Sequence, residues 1–146
     1  MIYLDTSFLV PLYAAEETSA RVEVFLREQP SGGVMVSRWT RTEFASTLAR
    51  NVRMRLQREA DARALMGAFE QDLASSFYLY APPAEDFDLA ARLLLERPTS
   101  GLRGADALHL AAAKQQSVPL YTLDKTLLRA AEAFGVPASD AGIGAP

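Results

Sequence analysis

The sequence contains no cysteine and only one histidine, His109, in its 146 residues. The absence of cysteine excludes disulfide bonds, thiol nucleophiles and thiolate zinc sites. A single histidine also excludes acid–base catalysis by two histidines and metal sites built from several of them. Any chemistry must therefore depend on carboxylates, hydroxyls, lysine or arginine.

Long apolar runs are also absent, and the first residues do not show the pattern of a secretory leader. Asp5 interrupts the apolar N-terminus, and no basic region precedes it, so we do not expect a signal peptide. No apolar stretch approaches the roughly 20 residues that are needed to span a bilayer. We therefore expect a cytoplasmic protein with no membrane association.

The composition is typical of one globular domain. Hydrophobic residues make up 49% of the chain and charged residues 23%, which excludes disordered and fibrous classes. No internal repeat or linker is visible, so residues 1–146 are predicted to form a single domain. Its last part, residues 136–146, is a weakly patterned tail.

Short apolar runs alternate with helix-length patterns along the chain. Four strands are predicted, at residues 2–4, 34–36, 77–80 and 120–122. Helices are predicted over residues 6–15, 19–28, 40 to about 74 in two stretches, 84–95, 105–116 and 125–134. This alternation favours a three-layer α/β domain, with a central parallel sheet of four to five strands flanked by helices.

Four carboxylates fall near the starts of predicted helices. Asp5 and Asp124 follow strands directly, and Glu43 lies early in the helix after the second strand, whereas a loop precedes Asp106. Because the carboxyl ends of parallel strands lie at one edge of a sheet, the four side chains could converge there. If they do, their mutual repulsion requires a cation.

Each carboxylate also has a purely structural interpretation. Asp5 and Asp124 are natural N-caps, and residues 40–43 form a T-x-x-E capping box around Glu43. Asp106 would complement the macrodipole of its helix. That helix is apolar nearly all round, however, so an ionised Asp106 needs a cation or a partner such as His109. A lone histidine at this position is otherwise a satisfied residue of the core or its rim.

An all-oxygen ligand set favours Mg²⁺ or Mn²⁺ over zinc. One or two such ions held by carboxylates are suited to phosphodiester hydrolysis, because they activate water and stabilise charge on the phosphate. Converging carboxylates that hold such an ion would therefore be suited to the hydrolysis of phosphodiester bonds.

Four segments resemble a known family along nearly the whole chain. They are the D-T-S of residues 5–7, the early-helix Glu43, the R-G-A-D-A-L-H-L-A run of residues 103–111 and the T-L-D of residues 122–124. In order and spacing they resemble PIN domains, and among these the VapC-type toxins of bacterial type II toxin–antitoxin pairs. The A-D-A-L-H-L-A run is the most specific part.

The resemblance implies a metal-dependent endoribonuclease that uses Mg²⁺ or Mn²⁺, forms homodimers and is inhibited by a small cognate antitoxin. The implied catalytic and metal-binding residues are Asp5, Glu43, Asp106 and Asp124. The implied supporting hydroxyls are those of Thr6, Ser7 and Thr122. The RNA-binding residues are not identified by the resemblance.

The net charge of −3 does not exclude an RNA substrate. Without the four carboxylates, 14 acidic residues remain against 15 basic ones, and residues 38–63 contain seven arginines. Guanidinium groups suit phosphate binding and base stacking, although this segment could also be a solvated helix face. Trp39 is predicted to lie in the core or an interface; stacking on a base or contact with an antitoxin are the alternatives.

Two other functions remain open. A catalytically idle PIN-fold binding module would tolerate loss of Asp5. A phospho-acceptor signalling domain would also use an acidic Mg²⁺ site, but it needs adjacent acids after the first strand and an acceptor aspartate after the third. Here Asp5 stands alone and the third strand ends at residues 81–83, Ala-Pro-Pro.

Overall fold

The computed structural model of the protein describes residues 1–144, which form a parallel five-stranded sheet with helices on both faces. The strands are β1 (Ile2–Leu4), β2 (Val34–Ser37), β3 (Tyr78–Tyr80), β4 (Leu120–Tyr121) and β5 (Ala138–Ser139). The helices are α1 (Thr6–Tyr13), α2 (Ser19–Arg27), α3 (Arg38–Arg53), α4 (Glu59–Ser75), α5 (Ala84–Glu96), α6 (Gly104–Gln116) and α7 (Lys125–Ala133). The predicted three-layer α/β class is confirmed.

The sheet order is β3-β2-β1-β4-β5, so the first strand lies at the centre. Tyr3 of β1 is in register with Met35 on one side and with Leu120 on the other. All three residues of β1 are buried, as expected for a parallel strand covered on both faces. The central position of β1 places Asp5, the next residue, in the middle of the carboxyl edge of the sheet.

Alternation along β1 divides the core into two clusters. Tyr3 belongs to a cluster formed with α5, α6 and α7, whereas Leu4 belongs to a cluster formed with α1, α2, α3 and α4. Successive side chains of a strand point to opposite faces, so the two clusters are the two interfaces of a three-layer domain. Trp39 packs against the first cluster, in agreement with its predicted core position.

The structure corrects two expectations from the sequence. Ser37 is the N-cap of α3, and its hydroxyl accepts hydrogen bonds from the backbone N–H groups of Trp39 and Thr40. The capping box predicted at residues 40–43 is therefore wrong, because Thr40 lies inside the helix. The fifth strand, β5, lies in the segment interpreted as a weakly patterned tail. Residues 145 and 146 of that tail are outside the described part of the chain.

Within residues 1–144, no helix is both long and apolar enough to cross a bilayer.

Candidate active site

A cleft of about 490 Å³ opens at the carboxyl edge of the sheet. The starts of α1, α3, α6 and α7 surround it, because three of these helices follow the strands β1, β2 and β4 almost directly. Its lining includes all four carboxylates that the sequence singled out: Asp5, Glu43, Asp106 and Asp124. The structure therefore brings the predicted site residues to one place.

Asp5 is the most buried of these carboxylates, with 4% of its surface exposed. It is the N-cap of α1, accepting a hydrogen bond from the backbone N–H of Phe8 at 3.0 Å. It also accepts from the hydroxyls of Ser7 at 2.8 Å and Thr122 at 2.7 Å. Burial raises the pKa of Asp5 despite these donors. A nearby cation would therefore favour its charged form.

Glu43 lies across the cleft, in the second turn of α3, with 24% of its side chain exposed. Its Oε1 accepts a hydrogen bond from the hydroxyl of Thr6 at 2.7 Å and also contacts Nε2 of His109. Burial acts to raise the pKa of Glu43, but His109, Thr6 and the charge of Arg103 together hold it below its usual value. Glu43 is thus an anionic group inside the cleft at neutral pH.

His109 is a buried partner of Glu43. The ring is 2% exposed, and its Nδ1 lies 2.7 Å from the hydroxyl of Tyr3. The interpretation of His109 as a satisfied core residue is therefore confirmed. It does not pair with Asp106, the alternative left open by the sequence, because the ring extends from the next turn of α6 towards α3. The two successive contacts, from Tyr3 to His109 and from His109 to Glu43, fix the orientation of the glutamate from the core side.

Loss of the Tyr3 hydroxyl should therefore destabilise the protein. Tyr3→Phe leaves Nδ1 of His109 without a partner in a buried site, so the free energy of unfolding should fall by about 1–3 kcal/mol. Tyr121→Phe, on the adjacent strand β4, is the matched control, because the Tyr121 hydroxyl makes no hydrogen bond within residues 1–144. Urea denaturation measures both variants, and equal losses would contradict the assigned role of the Tyr3 hydroxyl.

Asp106 and Asp124 lie at helix starts and face the cleft from α6 and α7. Oδ2 of Asp106 accepts a weak hydrogen bond from the backbone N–H of Arg103 at 3.4 Å and lies 3.5 Å from its Nε. Oδ1 of Asp124 accepts from the N–H groups of Thr126 at 2.7 Å and Leu127 at 3.0 Å. The capping roles proposed for Asp5 and Asp124 are therefore confirmed, and both residues also line the cleft.

Two of the three hydroxyls singled out in the sequence, those of Ser7 and Thr122, connect Asp5 to the segment that contains Asp124. The hydroxyl of Thr122 donates to Asp5 and accepts from the backbone N–H of Asp124 at 3.0 Å. The hydroxyl of Ser7 likewise donates to Asp5 and accepts from the N–H of Leu123 at 2.9 Å. These bonds tie the end of β4 to the start of α1 and hold two of the carboxylates in fixed relative positions.

The donor set fits a hard divalent cation. Within residues 1–144, no hydrogen bond reaches Oε2 of Glu43, Oδ1 of Asp106 or Oδ2 of Asp124. Three open carboxylate oxygens therefore line a cleft that also contains the buried Asp5, which suits Mg²⁺ or Mn²⁺. In the same residues, no group of three or more acidic or histidine side chains is arranged around a single metal position. Binding would thus require side-chain adjustment.

A sequence model of the PIN domain matches residues 2–133 of the chain. The chain belongs to the PIN domain family. The matched residues include all four carboxylates of the cleft, together with Thr6, Ser7 and Thr122.

Solved structures with the same fold include the following three. VapC20 of Mycobacterium tuberculosis, described as a toxin that cleaves the sarcin–ricin loop, has a TM-score of 0.71 at 20% identity, covering 93% of this chain and 96% of that one. FitAcB of Neisseria gonorrhoeae has a TM-score of 0.71 at 22% identity over 97% and 99% of the two chains. VapBC2 of Rickettsia felis, bound to a promoter DNA fragment, has a TM-score of 0.64 at 14% identity over 95% and 98%. These identities establish the shared fold alone.

A comparison with curated protein sequences finds no match.

Two arginines at the mouth of this PIN-domain cleft were not identified from the sequence. Arg50 of α3 and Arg103 before α6 both line it. The spacing of Arg50 from Glu43, seven residues, is a signal for a shared helix face. Six other arginines lie within residues 38–63, so the sequence alone does not distinguish Arg50 from them.

Proposed function

We propose that this PIN domain is a metal-dependent endoribonuclease, the VapC-type toxin of a toxin–antitoxin pair, acting in the cytoplasm as one domain over residues 1–146. The observation that supports it most is the convergence of Asp5, Glu43, Asp106 and Asp124 on one cleft. Helix capping accounts for Asp5 and Asp124 separately, but it does not account for Glu43, which lies in the second turn of α3 and lines the same cleft.

The proposed cofactor is Mg²⁺ or Mn²⁺, held by the four carboxylates. When bound, such an ion activates a water molecule and neutralises the charge that develops on the phosphate. In the proposed hydrolysis, a water oxygen would bond to phosphorus and lose a proton, while the bond from phosphorus to the 3′ oxygen would break and that oxygen would take up a proton. The products are a 5′-phosphate and a 3′-hydroxyl.

The protein contributes orientation and charge. The hydroxyls of Ser7 and Thr122 hold the Asp5 carboxylate, and Thr6 and His109 hold Glu43, so both anions are oriented before substrate arrives. The backbone N–H groups at the start of α7 hold Asp124 in the same way. Hydrogen bonds of this kind orient the carboxylates, and they restrict the side-chain adjustment that metal binding would require.

The proposed partners are RNA as substrate, a small cognate antitoxin and a second copy of the chain. A similar solved structure supports the antitoxin: a toxin–antitoxin complex of Klebsiella pneumoniae has a TM-score of 0.63 at 17% identity, covering 85% of this chain and 87% of that one. An antitoxin that covers the cleft would inhibit the nuclease by excluding RNA.

The chemistry of the product ends tests this function. Purified protein with Mg²⁺ or Mn²⁺ should cut single-stranded RNA and leave 5′-phosphate and 3′-hydroxyl ends, because water is the nucleophile. Ligation and end-specific sequencing distinguish these ends from a 2′,3′-cyclic phosphate. A cyclic phosphate would rule out the proposed mechanism, since that product arises when the 2′-hydroxyl attacks the phosphorus.

A further inference from the structure

We propose that Arg50 is a substrate-binding residue that contacts a backbone phosphate of the RNA at the mouth of the carboxylate cleft. This inference rests on the proposed function, because it assigns the part of the site that receives the substrate. It concerns the chain's own contact with RNA and does not depend on the number of metal ions.

The position of Arg50 follows from the geometry of α3. Glu43, Thr47 and Arg50 are separated by four and three residues, so they lie on one face of the helix, and all three line the cleft. Seven residues advance about 10 Å along a helix. Arg50 therefore lies at the outer end of the cleft, away from the carboxylate that its helix contributes.

Arg50 is also available for a ligand. Its side chain is exposed and makes no ion pair or side-chain hydrogen bond within residues 1–144. By contrast, Arg41, Arg58 and Arg63 of the same segment are paired with Glu70, Asp61 and Glu59. At the cleft itself, Arg103 is already close to Asp106. Arg50 thus combines a position at the cleft with an uncommitted guanidinium group.

The charge of the cleft explains why such a residue is needed. RNA is a polyanion, and it must approach a cleft that contains four carboxylates. A guanidinium at the mouth offers a planar pair of donors to phosphate oxygens, which gives both attraction and a fixed orientation. Arg50 would then hold a phosphate next to the one that is cleaved.

A matched control lies three residues further along the helix. Arg53 is exposed like Arg50, but it lines a separate groove between α3 and α4 that is floored by apolar residues. Replacing either arginine with alanine removes the same charge from the same helix. Only the loss of Arg50 changes the cleft, so a comparison of the two variants separates a local phosphate contact from a general effect of net charge.

The test is RNA binding in an Asp106→Asn background, in which the RNA remains uncut. Fluorescence anisotropy of a short labelled single-stranded RNA of mixed sequence gives Kd at several salt concentrations. Adding Arg50→Ala should raise Kd about ten-fold. It should also reduce the slope of log Kd against log salt by about 0.7, which is the contribution of one phosphate contact on a single strand. Arg53→Ala should change Kd by less than about two-fold, and Arg50→Lys should keep the slope but lose part of the affinity.

Equal effects of Arg50→Ala and Arg53→Ala, or no effect of either, would overturn this inference. If the wild type still cuts RNA in an Asp106-dependent way, the proposed function survives that result. If the parent protein neither binds nor cuts RNA, the proposed function and this inference both fail. A third result, tighter metal binding in Arg50→Ala with unchanged RNA affinity, would show that Arg50 only offsets the acidic charge of the cleft.

Discussion

Asp106→Asn should reduce RNA cleavage by at least about 100-fold while the protein remains folded. Loss of groups that merely support a metal ligand costs about 10–100-fold in affinity or activity, so loss of a ligand should cost more. The asparagine still offers an oxygen to the backbone N–H of Arg103, which preserves the local helix start. It also removes one of four neighbouring negative charges, so stability without metal should be unchanged or higher.

Asp61→Asn is the matched control for this variant. Asp61 is the third residue of α4, as Asp106 is of α6, and each pairs with the arginine that caps its helix. Asp61 lies outside the cleft, so its replacement should leave cleavage within about two-fold of the wild type. A large loss of melting temperature in metal-free Asp106→Asn, with no comparable loss in Asp61→Asn, would contradict the site assignment and favour a structural role for Asp106.

Addition of Mn²⁺ or Mg²⁺ should stabilise the folded protein, and chelation should abolish cleavage. A ligand that binds only the native state at about 100 times its Kd adds about 2.7 kcal/mol to the free energy of unfolding. For a chain of this length we expect the melting temperature to rise by roughly 5–10 °C. Thermal denaturation in EDTA and over a series of metal concentrations measures this shift, and cleavage should return when the metal is restored.

The same titration on Asp106→Asn and Asp61→Asn locates the ion. The shift in melting temperature should be greatly reduced in Asp106→Asn and retained in Asp61→Asn. An equal shift in both variants would place metal binding elsewhere on the protein. A wild type that cuts RNA equally well in EDTA would contradict the proposed use of a cation.

Much of the scaffold could be predicted because its signals are local. β1 and the start of α1 are adjacent in sequence, so a buried apolar run followed by Asp5 predicts both the strand and its capped helix. β5 could not be found in this way, because Ala138 and Ser139 have little strand propensity. Their extended conformation is instead fixed by pairing with β4.

The contacts of Glu43 show where local patterns mislead. Residues 40–43 match a capping box, but β2 passes into α3 without a loop and Ser37 takes the capping position. The partner of Glu43, His109, is 66 residues away in sequence. Helix periodicity cannot predict that contact, because it depends on how α3 and α6 pack across the edge of the sheet. The convergence of the four carboxylates was therefore predictable, whereas the arginines of the cleft and the contact between Glu43 and His109 were not.

The most direct test of the central claim, that the carboxylate cleft cleaves RNA, is to map new 5′-phosphate RNA ends in cells after brief induction. Wild type, Asp5→Asn and Asp61→Asn should be compared at equal protein levels. The account predicts sharp new ends with the wild type and Asp61→Asn, and none with Asp5→Asn. The same ends in all three strains, or none in any of them, would contradict it and leave a catalytically idle binding module as the better description.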